Sequence, residues 1–519
     1  MRSTFHTLTT ARRALFTQNT AIATLSHNIA NADTEGFTRQ RVNMKATTPI
    51  EAFGLMRSTS PGQLGTGVEV SSISRLREGF LDSQFRNESK ELGSWSVQMD
   101  TLGKLETVVN EPSDSGIREV MDEFWKAWSV LSSDISTKSE ELAARTVLKE
   151  KTIALTSAFN LMSRQLTELS TDLTSNIGVK ATQVDTLSSS IATLNDEIQR
   201  LELLGDNAND LRDQRDLLTD ELSEIVNITV TENDQGYTIQ MGGITLTDGE
   251  NSIPVDAAFL ESAVTSGDLI SGEVKGMIES RDRYVSDMQV QLDKMVDTLV
   301  NGEVEVTIPK GSVLPPGSIF DGIDYSGTLN SDITVTVKGI NGLHRLGYHF
   351  NSPYVGGDFF TTKDGSANFT AANIELNPDI VENANLIATS MRIETVNGNV
   401  EVIKGNNTLA LLMSELKAGK FAVNDQTTGV NEATIDDYFA SIVGELAVES
   451  EEAQRQTSNY VIIVEQVEMR RQAISGVSIN EEMTNMIQFQ QAYNAAARTV
   501  TAFDEMLDKV INGMGVVGR

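Results

Sequence analysis

The chain has 519 residues, a formal net charge of −32 and no cysteine. Since single hydrophobic cores stop growing at ~250–300 residues, a chain of this length is expected to form two or more domains. The missing cysteines exclude disulfides, thiolate metal sites and cysteine nucleophiles, and the negative charge argues against binding to nucleic acid or to anionic membranes.

No apolar run reaches the ~18 residues of a membrane span. The N-terminal stretch "MRSTFHTLTTARR" also lacks the apolar region of a cleaved signal peptide. We therefore expect a protein that either stays in the cytoplasm or leaves it by a route that needs no cleaved signal.

The charge is unevenly distributed. Residues 1–45 carry six basic and two acidic residues, which is +4, and this leaves −36 for the rest of the chain. The acidic body can be a solubilising surface. The alternative is that the basic segment docks against acidic surfaces of like chains.

The first predicted element is an N-terminal helix. Its apolar residues recur at alternating steps of three and four, which is a heptad seam on one helix face. We predict that this face is a packing interface formed by Leu8, Ala11, Leu15, Ile22, Leu25 and Ile29. An unusual stretch, "NIANADTEGFTRQR" at 28–41, follows the seam and predicts a sharp corner.

The middle of the chain is predicted to be helical, with β-rich insertions. Helical periodicity covers residues 79–225, and the period drops to two between 228 and 246, which indicates three short strands joined by tight turns. Helical pattern returns over 273–300, and 304–370 reads as β-rich. Helices are predicted again over 407–416 and from 435 onward.

The C-terminal helix carries two adjoining apolar stripes. One helix with two such stripes buries both only against more than one neighbour. Its predicted interface comprises Ile479, Met483, Met486, Phe489, Tyr493, Ala496, Val500, Phe503, Leu507 and Val510. Periodicity alone leaves two alternatives open, a bundle within one chain and a seam between chains.

Signals for catalysis or metal binding are sparse. His344 and His349 are five residues apart and miss the i, i+4 spacing of a helical zinc pair. The stretch "DNANDLRDQRDL" has Ala208 and Leu211 where a calcium loop needs a ligand and a glycine. We therefore expect no enzyme activity, no metal and no cofactor.

Five segments resemble bacterial flagellar axial proteins of the rod, hook and hook-associated type. The corner motif at 28–41 is similar to the one that follows their N-terminal helix, and the other four segments resemble the hook-associated protein 1 family of hook–filament junction proteins. Those four are "GTGVEVSSISRLREGFLDSQFR", "NDLRDQRDLLTDELSEIV", "FTAANIELNPDI" and "SGVSINEEMTNMIQFQQAYNAAARTVTAFDEMLD".

This resemblance implies a mainly α fold with an inserted β-rich domain. The terminal helices (1–40 and 475–519) would form a coiled-coil inner tube. A long-helix middle domain (41–227, 273–300 and 372–474) and an outer β domain (228–272 and 301–371) would follow. The segment at 304–339 departs from the family as an insertion.

The resemblance also gives the corner a role, that of turning the chain from the inner tube into the next shell. The turn residues are Asn28, Asn31, Gly36, Phe37, Arg39 and Arg41. Gly36 can take a positive φ, and Phe37 can hold the turn by burial. Because Arg39 and Arg41 are two apart on an extended segment, they would share a face, and we expect both to pair with acids of a neighbouring subunit.

The function implied is a structural adaptor of the extracellular flagellum, exported by the flagellar type III route. Its expected partners are further copies of itself in a ring, the hook protein, the second hook–filament junction protein and an export chaperone on the C-terminal helix. Nucleic acid and membrane are not expected partners. Alternatives are another axial subunit of hook or filament type, and an acidic secreted coiled-coil adhesin or enzyme.

Overall fold

A computed structural model describes residues 5–49, 65–109, 116–133, 138–351, 354–396, 399–403, 405–425 and 428–513. The chain divides into two compact units. Unit 1 comprises Met1–Ser94, Gly178–Lys275 and Ser458–Arg519, and unit 2 comprises Trp95–Ile177 and Gly276–Thr457. The three-part division expected from the sequence stays a prediction.

Helices dominate the described residues, as predicted. They are α1 (His6–Ala30), α2 (Gly79–Val109), α3 (Ile117–Ser132), α4 (Lys138–Leu203), α5 (Asn209–Ile225), α6 (Ala257–Ser266), α7 (Glu273–Glu279), α8 (Ser286–Asn301), α9 (Gly339–His344), α10 (Pro378–Glu382), α11 (Thr408–Glu415), α12 (Ile435–Ser475) and α13 (Ile479–Gly513). A π-helical turn, Ser280–Val285, joins α7 to α8. The predicted helix over 273–300 is therefore confirmed with one irregular turn.

The strands are short. They are β1 (Gln40–Ala46), β2 (Val68–Arg75), β3 (Thr229–Asn233), β4 (Gly236–Met241), β5 (Ile244–Asp248), β6 (Asn251–Ser252), β7 (Glu303–Ile308), β8 (Val313–Leu314), β9 (Ile319–Phe320), β10 (Ile323–Asp324), β11 (Gly327–Thr328), β12 (Ile333–Lys338), β13 (Phe360–Thr362), β14 (Ile374–Leu376), β15 (Ile393–Val396), β16 (Asn399–Val402), β17 (Phe421–Ala422) and β18 (Glu432–Ala433). The mainly α fold with β-rich insertions is thus confirmed.

The described residues form two antiparallel four-stranded sheets, one in each unit. In unit 1 the order is β3-β4-β5-β6, with the predicted Gly-Gly turn between β4 and β5, where Gly242 has φ +59°. In unit 2 the order is β12-β7-β17-β18. The remaining strands form two-stranded antiparallel pairs, which are β1–β2, β8–β11, β9–β10, β13–β14 and β15–β16.

The core of unit 2 is aromatic on one side. α3 turns one apolar face inward, with Trp128 and Phe124 fully buried. The Trp128 ring lies 5.3 Å from Phe359, and the Phe359 and Phe360 rings meet edge to face at 5.0 Å. Such contacts add to the free energy of burying the ring surfaces, so this cluster ties α3 to the segment before β13.

In unit 1, α1 packs on the β1–β2 hairpin and on α13. The buried residues of α1 that face these neighbours are small or polar at several positions, including Ala11, Thr17 and Ala21. Small side chains allow close approach of the backbones. None of the described helices is long and apolar enough to cross a membrane.

Candidate assembly interface

The two terminal helices pair within one chain. Asn28, near the end of α1, donates a hydrogen bond from Nδ2 to Glu482 Oε2 at 2.9 Å, near the start of α13. Because α1 and α13 also contact each other beyond this point, they run in opposite directions. The packing within a bundle that the sequence left open is therefore present.

Asn28 fixes the corner that follows α1. Its side chain is fully buried and accepts from Gln40 N–H at 3.0 Å while donating to Gln40 O at 2.9 Å. Through these two hydrogen bonds the Asn28 amide pairs with the backbone of Gln40, at the start of β1, in the way that a neighbouring strand would. A buried amide with these partners positions β1 against both terminal helices.

The turn itself has the geometry that the sequence predicts. Gly36 has φ +76°, and a Cβ built there would lie 3.1 Å from Leu217 Cβ. The half-buried Phe37 ring meets the His27 ring edge to face at 5.4 Å. Asn31 Nδ2 donates to His27 O at 3.0 Å, and the backbone N–H of Asn31 donates to the same carbonyl at 3.1 Å, so Asn31 closes the end of α1.

Arg39 corrects one expectation. Its guanidinium lies 3.0 Å from Glu481 Oε2 and 2.6 Å from Glu482 Oε1, both in α13 of the same chain. The expected pairing with a neighbouring subunit is therefore wrong for Arg39, because the antiparallel return of α13 places two acids beside it. Arg41 is exposed, and its pairing stays a prediction.

A buried group of charges lies in unit 1, which we call the ionic cluster. It consists of Arg75, Arg77, Arg86, Arg471, Asp82, Asp213, Asp216 and Asp220. The four arginines balance the four aspartates, as burial of charge requires. The cluster joins β2, α2, α5 and α12, so it holds together segments that are far apart in sequence.

Asp216 is the centre of the ionic cluster. Its Oδ2 lies 2.8 Å from Arg75 and 3.0 Å from Arg77, and Tyr237 Oη donates to Oδ1 at 2.5 Å. Burial acts to raise the pKa of Asp216, but Arg77 and Arg75 outweigh it and lower this pKa to about 2. The carboxylate is therefore charged at every physiological pH.

Asp213 links the ionic cluster to the corner. Its Oδ1 pairs with Arg75 at 2.7 Å, and its Oδ2 accepts from Thr38 N–H at 2.9 Å. Burial raises the pKa of Asp213 in spite of Arg75. One carboxylate thus connects the segment after α1 to α5.

Sequence reasoning missed the ionic cluster, because pairs of charges carry little information in a chain with 73 acids. The available signal was the spacing of Asp213, Asp216 and Asp220, three and four apart on one face of α5. Arg75 and Arg77 also alternate, at the end of β2. Both patterns lie inside segments that carried the family resemblance.

The predicted interface residues of α1 are all at least partly covered. Ala11 and Leu25 are buried, and the half-buried members are Leu8, Leu15, Ile22 and Ile29. A second row on α1 was missed. Phe16, and Phe5 directly before α1, are 66 % and 56 % exposed, and they share an exposed face with Thr9, Arg12, Asn19 and Ala23 at steps of four and three.

The predicted residues of α13 fall into two groups. The half-buried group is Met486, Phe489, Ala496, Val500, Phe503 and Leu507, and the exposed group is Ile479, Met483, Tyr493 and Val510. The half-buried residues recur at helical spacing on one side, the side that packing on α1 covers. The exposed apolar residues remain for another partner.

No group of three or more histidine, aspartate and glutamate side chains within the described residues is arranged to hold a metal ion. The polar groups of unit 1 described above pair with one another. The arrangement is suited to fixing the terminal helices in place.

Comparison with known protein families identifies three segments. The helical domain of flagellar hook-associated protein FlgK matches residues 102–302, the flagellar basal body rod protein family matches 8–38, and the C-terminal family of FlgEFG rod proteins matches 471–513. The two terminal matches cover most of α1, most of the corner and all of α13.

Whole-chain relatives agree with these matches. Flagellar hook-associated protein 1 of Bacillus subtilis is 34% identical over 542 aligned residues, covering 100% of both chains. The protein of that name from Salmonella typhimurium is 24% identical over 95% of this chain and 97% of its own.

Among solved structures, the fold is similar to that of the flagellar hook junction protein FlgK from Burkholderia pseudomallei, with a TM-score of 0.51 and 13% identity over 77% of this chain and 100% of that one. At that identity the likeness concerns the fold alone. The full-length similarity to the Bacillus subtilis protein is decisive, and this chain belongs to the flagellar hook-associated protein 1 family.

Proposed function

We propose that this chain is a structural subunit of the bacterial flagellum that acts as an adaptor at the hook–filament junction. The observation that carries this proposal is the 34% identity to a hook-associated protein 1 over the whole of both chains. The chain would assemble with further copies of itself into a ring through α1 and α13.

The exposed apolar surface of the terminal helices supports this assembly. Phe5 directly before α1, Phe16 on α1, and Met483 and Ile487 on α13 are each more than half exposed. Large exposed apolar side chains that recur on one helix mark an interaction surface. The pair α1–α13 would thus be the building block, and its uncovered faces would be the contacts between copies.

The corner and the ionic cluster would set the direction of that building block. Asn28 and Asp213 connect the end of α1 to β1 and α5, and Arg39 connects the corner to α13. These connections are buried or half-buried, so they resist thermal motion better than surface pairs do. Copies joined through the terminal helices would then hold the rest of unit 1 at a fixed angle.

The remaining partners follow from the same family membership. They are the hook protein on one side and the second hook–filament junction protein on the other. Export would use the flagellar type III route, with a chaperone on α13 before assembly. Its exposed apolar residues, such as Ile479 and Met483, would need cover in the monomer.

A second candidate is another axial subunit of hook or filament type. It is favoured by the terminal matches at 8–38 and 471–513, since these regions are similar to rod proteins. The match of residues 102–302 to a hook-associated helical domain supports the junction role instead.

Labelling of intact flagella tests the proposal. The turn between β9 and β10 is exposed, with Asp321 and Gly322 both at positive φ, so an epitope inserted there should leave the fold intact. We expect gold label in one narrow band between hook and filament. Label along the whole hook or filament would support the second candidate, and unlabelled flagella would contradict both.

A further inference from the structure

Unit 2 contains a buried segment, residues 384–391, which we call the latch segment. Residues 387–391 are fully buried although they form no regular helix or strand. Their backbone groups must therefore find partners outside a helix or sheet. Two basic side chains supply several of these partners.

The first of these side chains is Arg145 of α4, which is 1% exposed. Its Nη1 donates to Asn385 O at 3.1 Å and to Ile387 O, and its Nη2 donates to Thr389 Oγ1 at 2.7 Å. Glu141 Oε1 accepts from Nη2 at 2.9 Å and partly neutralises the charge. Arginine stays charged, so a permanent cation lies against the latch segment.

The second side chain is His344 at the end of α9, which is fully buried. The backbone N–H of Ala388 donates to its Nε2 at 2.9 Å, so Nε2 must carry a lone pair. The proton is then on Nδ1, which donates to Gly357 O at 2.7 Å. This arrangement requires a neutral ring, because a protonated Nε2 would point its hydrogen at the Ala388 N–H.

A second histidine has the same restriction. His349 accepts at Nδ1 from the N–H of Asn351 at 3.2 Å. Burial lowers the pKa of His349, and Arg145 lowers it further. Both histidines are thus held as neutral acceptors near a permanent cation.

We propose that the latch segment makes unit 2 sensitive to acid. The segment stays in its buried position while His344 is neutral, and it is released when the His344 ring takes up a second proton. Protonation would remove the bond from Ala388 and add positive charge near Arg145. Release would spread, because Met391 O accepts from Val313 N–H of β8 at 2.7 Å and Thr389 O accepts from Leu409 N–H of α11 at 3.0 Å.

Charged groups near the His344 ring also shift its pKa. Asp358 favours the protonated ring, but it also pairs with Arg345 at 2.5 Å. Glu141 is engaged by Arg145, and His349 and Arg145 disfavour protonation. Burial is the largest cause, and it lowers the pKa of His344 to about 4.

Because the pKa of His344 is lower in the folded chain than in the unfolded one, the stability of unit 2 depends on pH. Between about pH 6.5 and 4 the unfolded chain binds a proton that the folded one does not. The stabilising effect is therefore complete above pH 6.5 and is lost as the pH falls towards 4. The other two histidines, His6 and His27, belong to unit 1.

The chain carries its own probe for unit 2. All three tryptophans, Trp95, Trp125 and Trp128, belong to unit 2. Urea unfolding of the full chain followed by tryptophan fluorescence should show a midpoint that falls between pH 6.5 and 4. In His344→Gln, which keeps an uncharged acceptor, the fall of the midpoint should be clearly smaller, the remainder coming from His349 of the same unit. In His27→Gln the fall should equal that of the unmodified chain.

A fall in His344→Gln equal to that of the unmodified chain would overturn the proposal. A second measurement does not depend on that variant folding. In protein labelled at histidine Cε1, four resonances are expected, and the one from His344 should titrate near pH 4. Titration of His344 near pH 6.5 in the folded chain would also overturn it.

Discussion

Replacing Asp216 by Asn should destabilise unit 1 strongly. The substitution keeps the shape of the side chain but removes the charge that Arg75 and Arg77 face at 2.8 and 3.0 Å. Removal of one partner from a buried ion pair typically costs about 3–5 kcal/mol, because the other charge stays buried without compensation.

The pKa of Asp216 gives an independent magnitude. Its fall from 3.8 to about 2 on folding corresponds to roughly 2–3 kcal/mol at ~1.4 kcal/mol per unit. Because the folded pKa is the lower one, this stability is present above about pH 4 and is lost as the pH falls towards 2. The two magnitudes overlap near 3 kcal/mol, which is the loss we expect at neutral pH.

The assay is pulse-labelling hydrogen exchange across a urea series. Peptides from α5 report unit 1, and peptides from α3 report unit 2. With a slope of ~3 kcal/mol per molar urea, Asp216→Asn should lower the α5 midpoint by about 1 M and leave the α3 midpoint in place. The control is Glu221→Gln, at an exposed position of the same helix, and it should change the α5 midpoint little. Equal effects of the two substitutions would refute a central role for Asp216.

Three further predictions concern the corner and the terminal helices. Asn28→Ala should lower the free energy of unfolding by about 2–3 kcal/mol, because it leaves buried backbone groups unpaired. The control, Asn19→Ala on the exposed face of α1, should lower it little, and the urea midpoints of α1 peptides measure both. Gly36→Ala should lower the free energy of unfolding by about 1–2 kcal/mol, measured in the same way, because Gly36 has φ +76° and a non-glycine residue is strained there. Phe16→Glu should leave the urea midpoint of the monomer unchanged but prevent its incorporation at the junction, as scored by immunogold, whereas Val179→Glu, equally exposed on α4, should be incorporated. Incorporation of the Phe16 variant would contradict an interface at that face.

Most of the longer helices were predictable from periodicity because they bury an apolar face, whereas α6 and α10 were not predicted and α9 lies in a range that reads as β-rich. α3 is an example, since Phe124 and Trp128 are four apart and are both buried. The hairpin of β4 and β5 was equally readable, because a Gly-Gly pair interrupts a strict alternation. Both patterns depend on residues that are close together in the sequence, so they can be recognised without knowing the tertiary fold.

The ionic cluster could not be read from the sequence, because its members come from four separate segments. Only the tertiary fold brings Arg471 of α12 to Asp220 of α5, at 2.6 Å. The partner of Arg39 was missed for a similar reason, since nothing in the sequence indicates that α13 returns antiparallel to α1. Buried histidines such as His344 are also silent in sequence, because burial depends on neighbours from distant segments.

Electron cryomicroscopy of intact hook–filament junctions would test the junction role most directly. We expect this chain to form a ring between hook and filament, with the exposed face of α1 that carries Phe16 in one copy covered by a terminal helix of another copy. A ring in which that face is uncovered, or a junction built without this chain, would contradict assembly through the terminal helices.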